Sequence, residues 1–296
     1  MGFTFIVSVM YILFIALAQT ISKNSDINKN LLKYINADDK KQKVVFVGSS
    51  RVQAGFDPTL LKRQLPEFNF YNMGLSGSSV LYNYELTEKL IPVLPAKSTV
   101  FFELSDLTIL PPNHYLYFSN YTDLYNLMKK QVDLSFKFND IEKVFFSFVN
   151  VRSQFKASVY TEQVILKEIG FVKKAVAYSD KPKGFISIND INQPQVPLTE
   201  LQQKMYVMLL DLMERAKKQN IKIVYYIALN MPKTTERKQI LSIFSELPAS
   251  NKWVYSADFL TKITNGKYLY DPGHLNENGA SVNSMEVARE IMRINR

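Results

Sequence analysis

Three residues of this sequence have the side chains and the order that nucleophilic catalysis by serine requires. Ser50 comes directly after the apolar run at 44–47 and a glycine-serine pair, and Asp271 and His274 lie three residues apart in the stretch YDPGHLNENGA. A serine becomes a nucleophile when a base takes its proton, and a histidine base needs a carboxylate that fixes its tautomer and stabilises its protonated ring. Together these residues predict a Ser-His-Asp site.

The elements around these residues alternate between apolar strands and helices. The first half predicts strands at 44–47, 68–71 and 100–104, with helices at 57–65 and 79–90 between them. The second half predicts a helix at 199–220, a strand at 221–229, a helix at 234–246, a short strand around Val254 and a last helix from about Asn276. This alternation predicts parallel βαβ units and an α/β fold. In open parallel sheets, sites collect at the carboxyl ends of the strands, an edge that Ser50 and His274 can both reach.

The alternation is interrupted between residues 108 and 198, a segment rich in Tyr and Phe. It contains helix candidates near 121–132, 139–149 and 152–172, and a proline-containing loop closes it. We interpret this segment as a mostly helical insertion that covers one edge or face of the sheet, within a domain spanning 43–296.

Residues 1–22 carry no charged side chain, and the first charge is on Lys23. A run of this length is just long enough to span a bilayer, so we predict an N-terminal membrane anchor. A signal peptide cut near residues 16–18 is the alternative. Residues 23–42 are polar and typical of a linker, and their lysines taken alone would favour a cytoplasmic side for the rest of the chain.

Composition narrows the classes of function. The chain has 296 residues, 47% of them hydrophobic and 21% charged, which suits a large core. It has no cysteine, which excludes thiol catalysis, disulfides and zinc–thiolate sites. The net charge is +9, but the lysines are scattered among acidic residues, so nucleic acid is not a predicted partner and an anionic surface fits better. No dinucleotide or phosphate-loop motif occurs, and neither a cofactor nor a metal is predicted.

The motifs, taken in chain order, resemble those of the SGNH (GDSL-type) serine hydrolase superfamily. The triplet GSS ending at Ser50 matches its G-D-S block, which puts the nucleophile on Ser50. The stretch NMGLSGSS matches the block whose glycine N–H helps to bind the oxyanion, with Gly77 as the donor. Asp271 and His274 match its final D-x-x-H block.

This resemblance covers about 43–107 and 199–296 and implies a three-layer, flavodoxin-like parallel sheet. The third block departs from the superfamily, because ELSD stands where G-x-N-D is expected. Ser105 thus replaces an Asn whose side chain donates to the oxyanion, and one missing donor can cost on the order of 100- to 1000-fold in rate. The resemblance implies an oxyanion hole formed by the backbone N–H groups of Ser50 and Gly77, with help from the Ser105 hydroxyl.

Arg51 follows the predicted nucleophile directly, and two roles are open for it. It could bind an anionic substrate. It could instead be structural and pair with Asp106 or Asp57.

The GSSR form of the first block, the apolar N-terminus and the large insertion together are similar to extracytoplasmic SGNH-like proteins of bacterial envelopes, some of which work beside membrane-bound O-acyltransferases. The resemblance implies a single-pass anchor and an exported domain, whereas the lysines of residues 23–42 taken alone favour a cytoplasmic side. It implies a serine esterase or O-acyltransferase acting on acyl esters, with acetyl the expected group, of an envelope glycan or polymer. The alternative, suggested by Ser105, is a catalytically weak binding or assembly protein that works with a membrane-bound O-acyltransferase.

Overall fold

The computed structural model describes residues 41–105, 170–175, 177, 190–191, 196–229, 234–264 and 266–295, together with Val9 and Ile35. The chain divides into two compact units, Met1–Ala37 with Ile109–Lys167, and Asp38–Thr108 with Glu168–Arg296. The second unit contains almost all the described residues.

Within the described residues, five strands form a sheet in the order β2-β1-β3-β4-β5, and all four pairings are parallel. The strands are β1 (Lys43–Gly48), β2 (Asn69–Gly74), β3 (Thr99–Leu104), β4 (Lys222–Ile227) and β5 (Lys252–Trp253). This confirms the predicted α/β class, and the order is that of flavodoxin-like sheets. The chain runs from β1 out to β2 and returns past β1 to β3, so the strand order reverses between β1 and β3.

Seven α-helices have bounds within the described residues: α1 (Ser50–Gln53), α2 (Pro58–Gln64), α3 (Val80–Leu90), α4 (Glu200–Lys218), α5 (Thr234–Glu246), α6 (Ala257–Ile263) and α7 (Glu277–Ile294). A two-stranded antiparallel hairpin, β6 (Leu269–Asp271) and β7 (His274–Leu275), precedes α7. The predicted helices begin at side chains that bind free backbone N–H groups: Asp57 caps α2, Thr199 forms a capping box with Gln202, and Asn276 caps α7. The sequence patterns missed α1 and α6, and α1, with four residues, is too short to show helical periodicity.

Helices cover both faces of the sheet. On one face, Phe46, Phe101 and Tyr226 pack with Phe56 and with residues of α2, α6 and α7 in one buried cluster. On the other face, the Tyr225 hydroxyl donates to a backbone carbonyl of α4 at 2.7 Å. Because both faces are buried, the strands are largely apolar rather than alternating, although β2 also buries Asn69 and Asn72. The exception in β3 is Glu103, which is fully buried.

Several predicted segments lie wholly or mainly outside the described residues. They are the anchor at 1–22, the linker at 23–42 and the insertion helices near 121–132 and 139–149. Of the helix predicted at 152–172, residues 170–172 are described and are not helical; Gly170 has a φ of 86°, which an α-helix excludes. Among the described helices, none is both long enough and apolar enough to cross a membrane.

Candidate active site

We call the sharp connection between β1 and α1 the nucleophile turn, after the nucleophile predicted at Ser50. The Ser49 side chain caps α1 by accepting a hydrogen bond from the Arg51 N–H at 3.2 Å, which makes Ser50 the first residue of the helix. The turn therefore presents Ser50 at the carboxyl end of β1, beside the point where the strand order reverses. Open parallel sheets bind their ligands at such points.

The structure brings the three predicted catalytic residues into hydrogen-bond contact. Ser50 Oγ lies 2.7 Å from His274 Nε2, and His274 Nδ1 lies 2.8 Å from both carboxylate oxygens of Asp271. An ionised carboxylate can only accept, so Nδ1 carries the ring proton and Nε2 accepts from the Ser50 hydroxyl. A histidine that acts as a general base for serine needs this tautomer.

A tight hairpin holds the acid and the base. Asp271 at the end of β6 lies opposite His274 at the start of β7, and the Gly273 N–H donates to Asp271 Oδ1 at 2.7 Å. The Asn276 side chain caps α7 and also donates to backbone carbonyls on the β6 side at 2.8 and 3.1 Å. The side chains of His274 and Asp271 are 28% and 36% exposed, so solvent reaches this half of the site.

The predicted oxyanion glycine lies in a turn that follows β2. The Ser78 N–H donates to the Leu75 carbonyl at 3.0 Å, and Gly77, the third residue of this turn, has a φ of 75°. That conformation favours glycine. Because β1 and β2 pair as far as their last residues, Gly48 and Gly74, the turn lies at the same sheet edge as Ser50.

Ser105 follows β3 at this edge and is fully buried. Its hydroxyl donates to the Ser78 carbonyl at 3.3 Å and accepts from Asn83 Nδ2 at 3.4 Å. A role for Ser105 as an oxyanion donor would require this hydroxyl to turn away from Ser78.

With residues that the structure describes, Arg51 forms ion pairs to Glu103 and Glu236. Its Nε lies 3.1 Å from Glu103 Oε1, and its Nη2 donates to Glu236 Oε1 at 2.7 Å. Asp57, one of the two partners considered for Arg51, is not in either of these ion pairs, and its carboxylate caps α2 through backbone N–H groups. Asp106 lies outside the described residues. These contacts favour the structural alternative for Arg51.

Burial and the neighbouring charges have opposite effects on the pKa values of Arg51 and Glu103. Burial lowers the pKa of Arg51, but the negative charges of Glu103 and Glu236 outweigh it and raise the pKa above its ordinary value. Burial raises the pKa of Glu103, against the lowering effects of Arg51 and of two hydrogen bonds from Ser49.

Sequence reasoning missed two buried side chains that support the nucleophile turn from neighbouring strands, Glu103 in β3 and Asn72 in β2. Glu103 gave a usable signal, since it is the one charge in the strand TVFFEL. Asn72 is buried in β2, where its amide donates to the carbonyls of Val52 and Phe56 at 2.9 and 2.8 Å and accepts from the Gly74 N–H at 3.0 Å. Asn72 is the first residue of the NMGLSGSS stretch, but that motif gave it no role, because its partners are set by the packing of α1 on β2.

The short segment 170–175 links the two halves of the site. The Val172 N–H donates to the Gln53 carbonyl at the end of α1, at 3.0 Å. The Glu277 N–H at the start of α7 donates to the Lys174 carbonyl at 2.9 Å. This segment therefore contacts both α1, which begins at Ser50, and α7, which follows His274.

Among the described residues, no cluster of His, Asp or Glu side chains is arranged to hold a metal ion. No protein-family model matches this chain, and no curated protein matches its sequence well enough to count as a relative.

Proposed function

We propose that this protein is an extracytoplasmic serine esterase or O-acyltransferase of the SGNH type. Its substrates are acyl esters, with acetyl the expected group, on a cell-envelope glycan or polymer. The observation that carries the proposal is the 2.7 Å contact between Ser50 Oγ and His274 Nε2, with Asp271 bound to the other ring nitrogen. The site also lies where parallel α/β sheets bind ligands.

In the first half of the reaction, Ser50 Oγ attacks the acyl carbonyl carbon while its proton passes to His274 Nε2. The carbonyl oxygen gains negative charge, which the backbone N–H groups of Ser50 and Gly77 stabilise. The carbon–oxygen bond of the ester then breaks, and the leaving alkoxide oxygen takes the proton from His274 and departs as an alcohol. Asp271 stabilises the protonated ring between these steps.

In the second half, water or a sugar hydroxyl attacks the acyl–Ser50 ester. His274 takes the proton of the attacking group and returns it to Ser50 Oγ as the acyl group leaves. Water gives hydrolysis, whereas a sugar hydroxyl gives acyl transfer.

Two features support an envelope polymer as substrate. His274 and Asp271 are partly exposed, so the site is accessible to a chain that cannot enter a closed pocket. The net charge of +9 favours approach to an anionic surface. The location outside the cytoplasm rests on the apolar run at 1–22 and on the motif resemblance.

A second candidate is a binding or assembly protein with weak catalysis that works with a membrane-bound O-acyltransferase. The hydrogen bond from the Ser105 hydroxyl to the Ser78 carbonyl favours it, because this hydroxyl then does not serve the oxyanion. Losing one donor can slow acyl transfer by about 100- to 1000-fold.

A fluorophosphonate probe separates the two candidates. An activated Ser50 forms a bond to phosphorus, fluoride leaves, and His274 takes the serine proton. We expect the wild-type protein to be labelled and Ser50→Ala to remain unlabelled. A folded wild-type protein that is not labelled would contradict the enzyme and support the binding protein. Release of acetate from acetylated glycans then identifies the substrate.

A further inference from the structure

We infer that Glu103 is a positioning residue that fixes the two neighbours of the nucleophile Ser50. This inference rests on the proposed function, because it assigns a role within the same site. Glu103 itself is fully buried and lies one residue before the end of β3, the strand next to β1.

Both carboxylate oxygens of Glu103 are used by the residues that flank Ser50. Oε2 accepts from the Ser49 N–H at 2.5 Å, and Oε1 accepts from Ser49 Oγ at 3.1 Å. The same Oε1 lies 3.1 Å from Arg51 Nε. One side chain from a neighbouring strand therefore fixes the residue before the nucleophile and the residue after it.

Glu236 holds the far end of Arg51. It projects from α5, and its Oε1 accepts from Arg51 Nη2 at 2.7 Å. The guanidinium is planar and rigid, so two carboxylates on different nitrogens fix its direction as well as its position. The Arg51 side chain is only 15% exposed in this arrangement.

The glycine before Ser49 makes room for this contact. A Cβ on Gly48 would overlap both the Glu103 side chain and Val52. Glycine at this place therefore follows from the approach of the Glu103 carboxylate to the turn, in addition to any role in the turn itself.

Stability alone does not account for Glu103. Buried ion pairs contribute little net stability, because removing two charges from water offsets their attraction. Burial also raises the pKa of Glu103, so the fold disfavours its charged form. Glu103 instead contacts Ser49 and Arg51, the two residues that flank Ser50. The Oγ of Ser50 must stay within hydrogen-bond reach of His274. A displacement of about 1 Å at such a site can cost about 100-fold in rate.

The test measures fluorophosphonate labelling of Glu103→Gln, which keeps the size of the side chain and removes its charge. The rate constant at saturating probe and the fraction of molecules labelled are measured separately, together with the thermal midpoint. We expect the rate constant to fall by about 10- to 100-fold while every folded molecule is still labelled. A merely structural role would lower the labelled fraction or the midpoint and leave the rate constant of the folded molecules unchanged.

Glu290→Gln is the matched control. Glu290 is also a largely buried acid paired with an arginine, but its partner Arg293 lies one turn away in the same helix, α7. We expect this variant to be labelled at the wild-type rate. The double variant Ser49→Ala with Glu103→Gln should lose less than the product of the two single losses, because both changes act on one contact.

If Glu103→Gln does not fold, Glu236→Gln becomes the deciding variant for the positioning role. This substitution weakens only the ion pair at the far end of Arg51. We expect it to slow labelling by about 3- to 10-fold, a part of the loss that a 1 Å displacement produces. Wild-type labelling rates in folded Glu103→Gln, or in Glu236→Gln where it is the deciding variant, would overturn the positioning role and leave the proposed function intact. Absence of labelling in the wild-type protein itself would overturn both.

Discussion

The turn that carries Ser50 and the hairpin that carries His274 reach the same site by different means. The turn is tied by buried side chains from other strands, with Glu103 bound to Ser49 and Asn72 bound to the end of α1. The hairpin is tied mainly by local contacts, with Asp271, Gly273 and His274 bonded among themselves.

The two halves of the site should therefore differ in how well they tolerate substitutions. Local contacts survive small shifts of the surrounding protein, because their partners move together. Long-range contacts do not, because each partner belongs to a different element. We therefore expect the nucleophile turn to be the more sensitive half of the site.

The largest effect should come from the proposed triad, in which we expect the two halves to act as one unit. Ser50→Ala and His274→Ala should each lower ester turnover by on the order of 10⁴- to 10⁶-fold, and the double variant should lose little more. Turnover of an activated acetyl ester, with circular dichroism as a check on folding, measures this. Additive losses would mean that the two residues do not share a step.

A matched pair of glycine substitutions tests the comparison directly. A Cβ on Gly74 would overlap the backbone of Gln53 and Ser49, whereas a Cβ on Gly273 would meet Asp271 Oδ1 at an ordinary 3.6 Å. Gly74→Ala should therefore destabilise the fold by about 1–3 kcal/mol and slow labelling by about 100-fold, since it displaces the nucleophile turn. Gly273→Ala should stay within about threefold of the wild-type rate, a tolerance expected for a change that shifts no backbone. Equal losses in the two variants would remove the distinction between the halves.

The pH dependence of stability tests the buried environment of Glu103, which holds the nucleophile turn. Burial raises the folded-state pKa of Glu103 above its ordinary value of 4.5, so the folded state holds this proton more tightly than the unfolded state. Stability from this group is then present below about pH 4.5 and is lost as the pH rises through the folded-state pKa. Arg51, Glu236 and the phenols of Tyr226 and Tyr255 surround the carboxyl, and all four are common to wild type and Glu103→Gln.

The free energy of unfolding of the wild type, relative to Glu103→Gln, should therefore fall as the pH rises above 4.5. Urea denaturation of both proteins from about pH 4 to pH 8 measures this difference. A difference that grows with pH would mean that the attraction to Arg51 exceeds the effect of burial.

The smallest effect is expected at Ser105. Its hydroxyl donates to the Ser78 carbonyl, so Ser105→Ala should change turnover by less than about threefold, well below the usual cost of an oxyanion donor. Steady-state kinetics on the same activated ester checks this. A fall of about 100-fold would show that the hydroxyl does turn toward the oxyanion during the reaction.

Sequence patterns were most informative where the physics is local. Asp57, Thr199 and Asn276 each marked a helix start, because a capping side chain bonds backbone N–H groups two or three residues away. The spacing of Asp271 and His274 likewise predicted their contact, since one tight turn is enough to close it.

By itself, the sequence determined the α/β alternation, the helix starts and the identity of the Ser50, Asp271 and His274 set. Only the tertiary structure decided the sheet order, the pairing of Arg51 with Glu103 and Glu236, and the engagement of Ser105 by Ser78. Ser50 and His274 stand 224 positions apart, and Ser49 and Glu103 stand 54 apart. Contacts over such separations depend on which strands become neighbours, and no short stretch of sequence contains both partners.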